Sequence, residues 1–274
     1  MRTKRITIAI IVLSMIAIIG FITNIYRSEN EKNGLPSFVN KEVSTPTPSP
    51  TITPTPTPTA TPTIDPDSDP RFTSTDSLLV FANKKHKLPD GYEPDDLVLI
   101  SSNYSTGEAY MREEAAEALE EMLEAAYEEG VYPIVVSAYR SASYQNTLYN
   151  NYVNRDGQEA ADTYSSRPGY SDHQTGLTAD ISSSSNGYHL NQSFENTEEG
   201  KWLAENAHKY GFVMRYPKGK QDITGYMYEP WHFRYIGVDE ATALYSSDSD
   251  MTMEEFYGVS GGDYNSSEQE NPRF

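Results

Sequence analysis

Ser171-Asp172-His173-Gln174-Thr175-Gly176-Leu177-Thr178-Ala179-Asp180-Ile181-Ser182 is the stretch from which the rest of the chain can be read. Ala179-Asp180-Ile181-Ser182 reads as a short strand. Gly176, just before it, permits the turn that leads into that strand. If the chain turns there, His173 and Asp180 can face one point. Glu229-Pro230-Trp231-His232 adds a second imidazole and a spare carboxylate, from a later strand spanning Trp231 to Tyr235. Hydrolytic zinc sites use three protein ligands, leave one position for water, and need a base that is not a ligand. His173, Asp180 and His232 can meet the first requirement, and Glu229 the last. On spacing alone, the competing reading is a pair of structural histidines with surface carboxylates.

Composition narrows the chemistry. The chain has 274 residues, a formal net charge of −19 and no cysteine. Thiolate catalysis, disulfides and cysteine metal sites are excluded, so a metal must be held by His and carboxylate. The acidic balance excludes nucleic acid as a partner, because phosphate binding needs clustered Lys and Arg. Ser-x-x-Lys and Lys-Thr-Gly, the strings of penicillin-type serine enzymes, are absent, as is His-Glu-x-x-His.

The N-terminal region is of a different kind. Ile6 to Tyr26 carries no charge and follows Arg2, Lys4 and Arg5. About 20 apolar residues match the thickness of a bilayer, and the basic residues keep the N-terminus in the cytoplasm. Residues 1–27 thus read as a cytoplasmic tip and a single-pass anchor, with the remainder outside the cell. A cleaved signal peptide is the alternative, but its apolar region is usually shorter and no small-x-small site follows. Residues 28–72 read as a linker, with Thr and Pro nearly alternating from Thr45 to Thr63. Such a segment favours polyproline II and would act as a semi-rigid arm.

The globular part is expected over 73–257. Leu78-Leu79-Val80-Phe81 reads as a strand. Met111 to Glu129 reads as a helix with Ala115, Leu119, Met122 and Ala126 on one face, ended by Gly130. A buried strand follows over Tyr132–Ala138, then a helix over Ser143–Val153. Asn196 and Glu199 read as a capping pair for a helix through Trp202, Ala207 and Tyr210. Gly211–Met214 reads as another strand, and Val238–Tyr245 and Thr252–Phe256 as closing helices. The later strands lie too close together for long crossovers. The fold class is therefore α+β, with a central, mainly antiparallel sheet flanked by helices. Residues 258–274, rich in Ser, Gly, Asn and Glu, read as a disordered tail.

The segment Ser171–Asp180 resembles the Ser-x-His-x-x-Gly-x-Ala-x-Asp motif of the VanY-type D-alanyl-D-alanine carboxypeptidases, relatives of the Hedgehog-like metallopeptidases. Glu229-Pro230-Trp231-His232 is similar to that family's Glu-x-x-His signature. Asn83–His86 with Leu88-Pro89, Ser137-Ala138-Tyr139-Arg140-Ser141 and Tyr144-x-x-x-Leu148-Tyr149 match as well, so the resemblance covers roughly 78–257. It implies a Hedgehog/D-Ala-D-Ala peptidase-like fold and a Zn2+ site of His173, Asp180 and His232. It further implies Glu229 as proton-transfer group, Arg140 beside the scissile carbonyl, and Gln145 and Ser171 as hydrogen-bonding groups of the substrate cleft. The implied activity is removal of a C-terminal D-alanine from peptidoglycan stem peptides, with D,D- or L,D-specificity. A wall-binding module without activity, or an endopeptidase or dipeptidase of the same fold, are the other readings. One position departs from the motif: its Ala is Thr178 here, so a hydroxyl and a methyl must fit behind the metal. His86, His189 and His208 read as structural or surface residues.

Overall fold

The clearest periodicity in the chain produces its longest helix. In α1 (Glu113–Glu128), Ala115, Leu119, Met122 and Ala126 are fully buried, and the glutamates between them face outward. Every described residue, 65–265 of the computed structural model, belongs to one unit of the chain. The anchor assigned to residues 6–26 and the Thr-Pro stretch lie outside the described residues. Among the described residues, no helix is long and apolar enough to cross a membrane.

Ahead of α1, β1 (Leu97–Leu99) pairs antiparallel with β2 (Tyr110–Arg112), a small hairpin sheet that the sequence did not signal. The helix expected from Met111 starts two residues later, because Tyr110–Arg112 is used as a strand. The main sheet contains β3 (Ile134–Ser137), β4 (Thr178–Ser182), β5 (Phe212–Met214) and β6 (His232–Tyr235), in the spatial order β3-β4-β6-β5 with every pair antiparallel. The chain is α+β, as expected. Helices α2 (Ala142–Asp156), α3 (Glu198–Asn206), α4 (Val238–Ser247) and α5 (Met253–Tyr257) complete the larger elements.

Alternation along the strands divides the sheet into two faces. Ala179 and Ile181 of β4 and Phe233 and Tyr235 of β6 pack with α1 and α3 in the main core. The same strands carry Thr178, Asp180, His232 and Arg234 at the intervening positions. A smaller core on Val213 gathers Phe72, Phe81, Ile236, Leu244 and Met253.

Four expectations are corrected. Leu78–Phe81 is a turn, not a strand: the carbonyls of Leu78 and Val80 accept from the Arg234 guanidinium at 2.9 and 2.8 Å, so a side chain replaces a ladder partner. The cap of α3 is Thr197, whose hydroxyl accepts from Gly200 N at 2.9 Å, not Asn196. The folded part begins before residue 73, since Phe72 is buried in a short helical turn, Pro70–Thr73. It also runs beyond 257. Val259 and Tyr264 are buried, and the Tyr264 hydroxyl accepts from Arg167 N at 2.8 Å. Residues 266–274 lie outside the described residues.

Candidate metal centre

His173 sits in a single helical turn, Asp172–Thr175, that ends at Gly176. Gly176 has φ +71°, and a Cβ there would stand 2.9 Å from Arg112 Cγ and 3.1 Å from both Leu97 and Pro94 side chains. Glycine is required both by the left-handed turn and by the close neighbours. The turn delivers the chain into β4, where Asp180 is the register partner of His232 on β6. Directly opposed residues of an antiparallel pair point to one face, so the ladder itself brings this carboxylate and this imidazole together. Glu229 arrives through the turn before β6, closed by His232 N donating to Glu229 O at 3.2 Å.

One ligand atom from each of His173, Asp180 and His232 lies within 4.8 Å of the others. His173 Nε2 is 3.2 Å from Asp180 Oδ2, and His232 Nδ1 is 3.4 Å from Asp180 Oδ1. Nitrogen and oxygen ligands about 2.1 Å from a tetrahedral zinc would stand roughly 3.4 Å apart. Both separations fit. His173 Nε2 and Asp180 Oδ1 are buried and form no hydrogen bond within the protein, which is expensive unless a further group takes them up. His173 Nδ1 lies 2.7 Å from the Ala138 carbonyl, which must accept its proton; Nε2 then carries the lone pair. These three side chains suit a zinc ion.

The electrostatics set the two carboxyls of the site apart. Burial, with Arg140 adding to it, pushes the His173 imidazole down to about 4, so this ring is neutral. Burial alone would raise the Asp180 carboxyl, but His173, His232 and Arg140 outweigh it and hold it at about 2. Burial raises the Glu229 carboxyl above its ordinary value, only partly offset by His232. Burial works against the His232 cation, yet Asp172, Glu229 and Asp180 prevail and lift the imidazole to about 9. A carboxyl with a raised pKa next to a carboxylate that stays ionised is a common arrangement for separate acid–base and ligand roles.

All seven residues singled out from the sequence line one cleft of about 250 Å3: His173, Asp180, His232, Glu229, Arg140, Gln145 and Ser171. Glu229 Oε2 is 3.1 Å from His232 Nδ1. Arg140 Nη2 is 3.6 Å from Asp180 Oδ2, and its Nε is buried without a partner. The Gln145 amide donates to Ser166 O at 2.7 Å, leaving its buried Oε1 unpartnered. Tyr152, Tyr164, Tyr216, Tyr226 and Trp231 complete much of the wall.

Sequence reasoning missed the charges behind this wall. Asp172, Arg215, Arg234 and Glu254 are all buried. Two of them were detectable: Asp172 lies inside the motif, and Arg234 is two residues from His232 on a strand, hence on its face. Thr178, the departure from the motif, fits without displacing a ligand. Its hydroxyl donates to Asp172 Oδ2 at 2.7 Å. His208 stacks on Tyr245 with ring centroids 3.8 Å apart, and His86 Nδ1 is 2.9 Å from Asn83 Oδ1. Neither joins the site.

Comparison with known proteins agrees with the geometry. The family model described as VanY, D-alanyl-D-alanine carboxypeptidase, matches residues 108–238. The chain is 46% identical over 186 residues to the putative carboxypeptidase YodJ of Bacillus subtilis, covering 66% of this chain and 67% of that one. Two enterococcal D-alanyl-D-alanine carboxypeptidases are matched over 53% and 61% of their own lengths. Among solved structures, the LD-carboxypeptidase LdcB aligns with TM-score 0.64 and 44% identity, over 70% of this chain and 90% of that one. A variant of the D,D-pentapeptidase VanY in complex with Zn(II) aligns with TM-score 0.56 and 32% identity, over 65% and 98%.

Proposed function

The chain belongs to the VanY-type D-alanyl-D-alanine carboxypeptidase family, zinc metallo-carboxypeptidases, and we propose that it removes the C-terminal D-alanine from peptidoglycan tetrapeptide stems. The observation that carries the hydrolase reading is the convergence of His173, Asp180 and His232 with Glu229 beside them in one cleft. The L,D-preference is supported by the 44% identity to LdcB, against 32% to the D,D-pentapeptidase.

His173, Asp180 and His232 would hold the zinc, which supplies Lewis acidity to polarise the scissile carbonyl and to lower the pKa of water. Glu229 takes the proton from the attacking water and gives it to the departing amine of D-alanine. Its burial and raised pKa suit a group that must be both base and acid. The Arg140 guanidinium, with one donor still unpaired, is placed to stabilise negative charge developing on the carbonyl oxygen. Gln145 Oε1 and the Ser171 hydroxyl can hydrogen-bond the substrate backbone in the cleft. Residues 6–26 would hold the enzyme in the cell membrane, with the Thr-Pro arm extending the catalytic part towards the wall. The uncharged run behind three basic residues supports that placement.

The test uses the full chain in detergent, incubated with defined tetrapeptide and pentapeptide stems, with zinc or after chelation. Mass spectrometry should show loss of one alanine from the tetrapeptide only, and only with zinc. Loss from the pentapeptide alone would reverse the specificity. Intact stems in the presence of bound zinc would favour a wall-binding module. Recovery of the chain in the soluble fraction of cells would refute the anchor.

A further inference from the structure

We propose that Asp172 is a positioning residue that presents Nδ1 of His232 to the metal, and that Thr178 fixes Asp172 in that task. The inference rests on the zinc reading above and concerns how the third ligand is oriented.

A neutral imidazole has one proton, and the nitrogen that ligates must be the other one. For His173, the Ala138 carbonyl accepts the Nδ1 proton and leaves Nε2 for the metal. His232 is turned the opposite way. Its Nδ1 faces Asp180 and Glu229 at 3.4 and 3.1 Å. Its Nε2 is buried and forms no hydrogen bond, and the carboxylate oxygen beside it is Asp172 Oδ2 at 3.5 Å. That separation is an ion-pair contact, longer than a formed hydrogen bond. Asp172 is thus the acceptor within reach of the Nε2 proton, and that proton must sit on Nε2 if Nδ1 is to ligate.

Asp172 cannot swing away to other partners. Arg234 Nη1 donates to its Oδ1, and Thr178 Oγ1 donates to its Oδ2 at 2.7 Å. Arg215 Nε stands 3.9 Å from Oδ2. Arg234 is itself held by the carbonyls of Leu78, Val80 and Tyr235. The oxygen that faces His232 is the one that Thr178 holds. An alanine, the residue of the motif at this position, could not donate that bond.

Asp172→Asn separates this role from bulk. The two arginines and Thr178 surround the side chain with donors. The amide oxygen of Asn is best placed against Arg234, which has no acceptor, while the Thr178 hydroxyl can rotate to accept from the amide NH2. The NH2 then faces His232 Nε2 and favours the tautomer with its proton on Nδ1, which cannot ligate. Loss of such a partner typically weakens a metal site about 10–100-fold.

The experiment measures zinc affinity of the full chain in detergent by competition with a chromogenic chelator. Long-range proton–nitrogen correlation spectra of the zinc-loaded protein report which nitrogen of His232 carries the proton. The expected result is a zinc dissociation constant about 10–100-fold higher for Asp172→Asn, with a changed His232 ring pattern. Thr178→Val should raise the constant roughly fivefold, the worth of one hydrogen bond, and Thr178→Ser should restore it. If Asp172→Asn does not fold, the Thr178 pair decides. Wild-type affinity and an unchanged ring pattern in the folded variants would overturn this inference while leaving the zinc site intact. A wild-type chain that takes up no zinc would instead overturn the metal reading, and this inference with it.

Discussion

Glu254→Gln is expected to destabilise the folded protein by about 3 kcal/mol, although Glu254 lies on the last described helix, α5. Its carboxylate is buried. Oε1 accepts from Arg215 Nη2 at 2.6 Å and from Asn83 Nδ2 at 3.0 Å, and Oε2 accepts from Arg215 Nη1 at 2.8 Å. A glutamine can keep its oxygen at the two-donor position, but its NH2 then confronts a guanidinium N–H. One charge-assisted bond is lost, about 1.5–3 kcal/mol. Arg215 also loses its closest counter-charge, and breaking a buried pair typically costs about 3–5 kcal/mol. Asp172, 3.9 Å from Arg215 Nε, compensates in part, which places the outcome near the low end of that range. Urea unfolding followed by tryptophan fluorescence measures it, since Trp202 is nearly buried in the main core. The double variant Arg215→Met, Glu254→Leu removes both charges and should recover much of the loss. A single-variant effect below about 1 kcal/mol, or a double variant no better than the sum of the singles, would refute the reasoning.

Glu229→Gln should retain zinc and lose about 10²–10⁴-fold in turnover, measured as alanine release; full activity would remove Glu229 from the proton-transfer role. Arg140→Ala should lower kcat/KM by about 10²–10³-fold with zinc affinity little changed; an unaffected kcat/KM would exclude it from charge stabilisation. Stability should fall as acid protonates Asp172 and Asp180, whose carboxyls lie below the ordinary 3.8, Asp180 at about 2. Groups depressed on folding stabilise fully above their unfolded value and lose that contribution as pH drops through the folded one. The unfolding midpoint should therefore decline between about pH 4 and pH 2, and a midpoint that rose over that window would contradict the buried ion network.

Periodicity made much of the fold legible. The buried face of α1, the strands β3 to β6 and the helices α2 and α4 follow apolar patterns that local sequence encodes. The failures share a physical cause: partners distant in sequence satisfied the backbone or buried the side chain. Leu78–Phe81 has a strand-like composition, but its carbonyls go to Arg234. The tail from 258 has a disordered composition, but Val259 is buried in the smaller core and Tyr264 anchors it further, edge-to-face with Tyr170 at 5.2 Å and under the Arg167 guanidinium at 4.0 Å. The hairpin of β1 and β2 is too short for alternation to announce it. Site residues were legible because the motifs are local. Arg215 and Glu254 were not, because a buried charge looks like a surface charge until its partner is known; Asp172 and Arg234 could be placed near the site by the motif and the strand period, but not their pairing.

The register of β4 against β6 connects these two kinds of information. Asp180 opposes His232, Ala179 opposes Phe233 and Thr178 opposes Arg234. A slip of one residue would turn Ala179 and Ile181 out of the main core and put Thr178 and Asp180 into it. The apolar alternation that buries Ala179, Ile181, Phe233 and Tyr235 therefore fixes the pairing of the two ligands on the opposite face. The same pairing sets Thr178 beside Arg234, so Asp172, gripped by both, is brought behind His232. Hydrophobic burial on one side of the sheet thus positions the metal ligands on the other. Arg234 sits at a position where that alternation leaves a polar group to be satisfied, and Asp172 satisfies it.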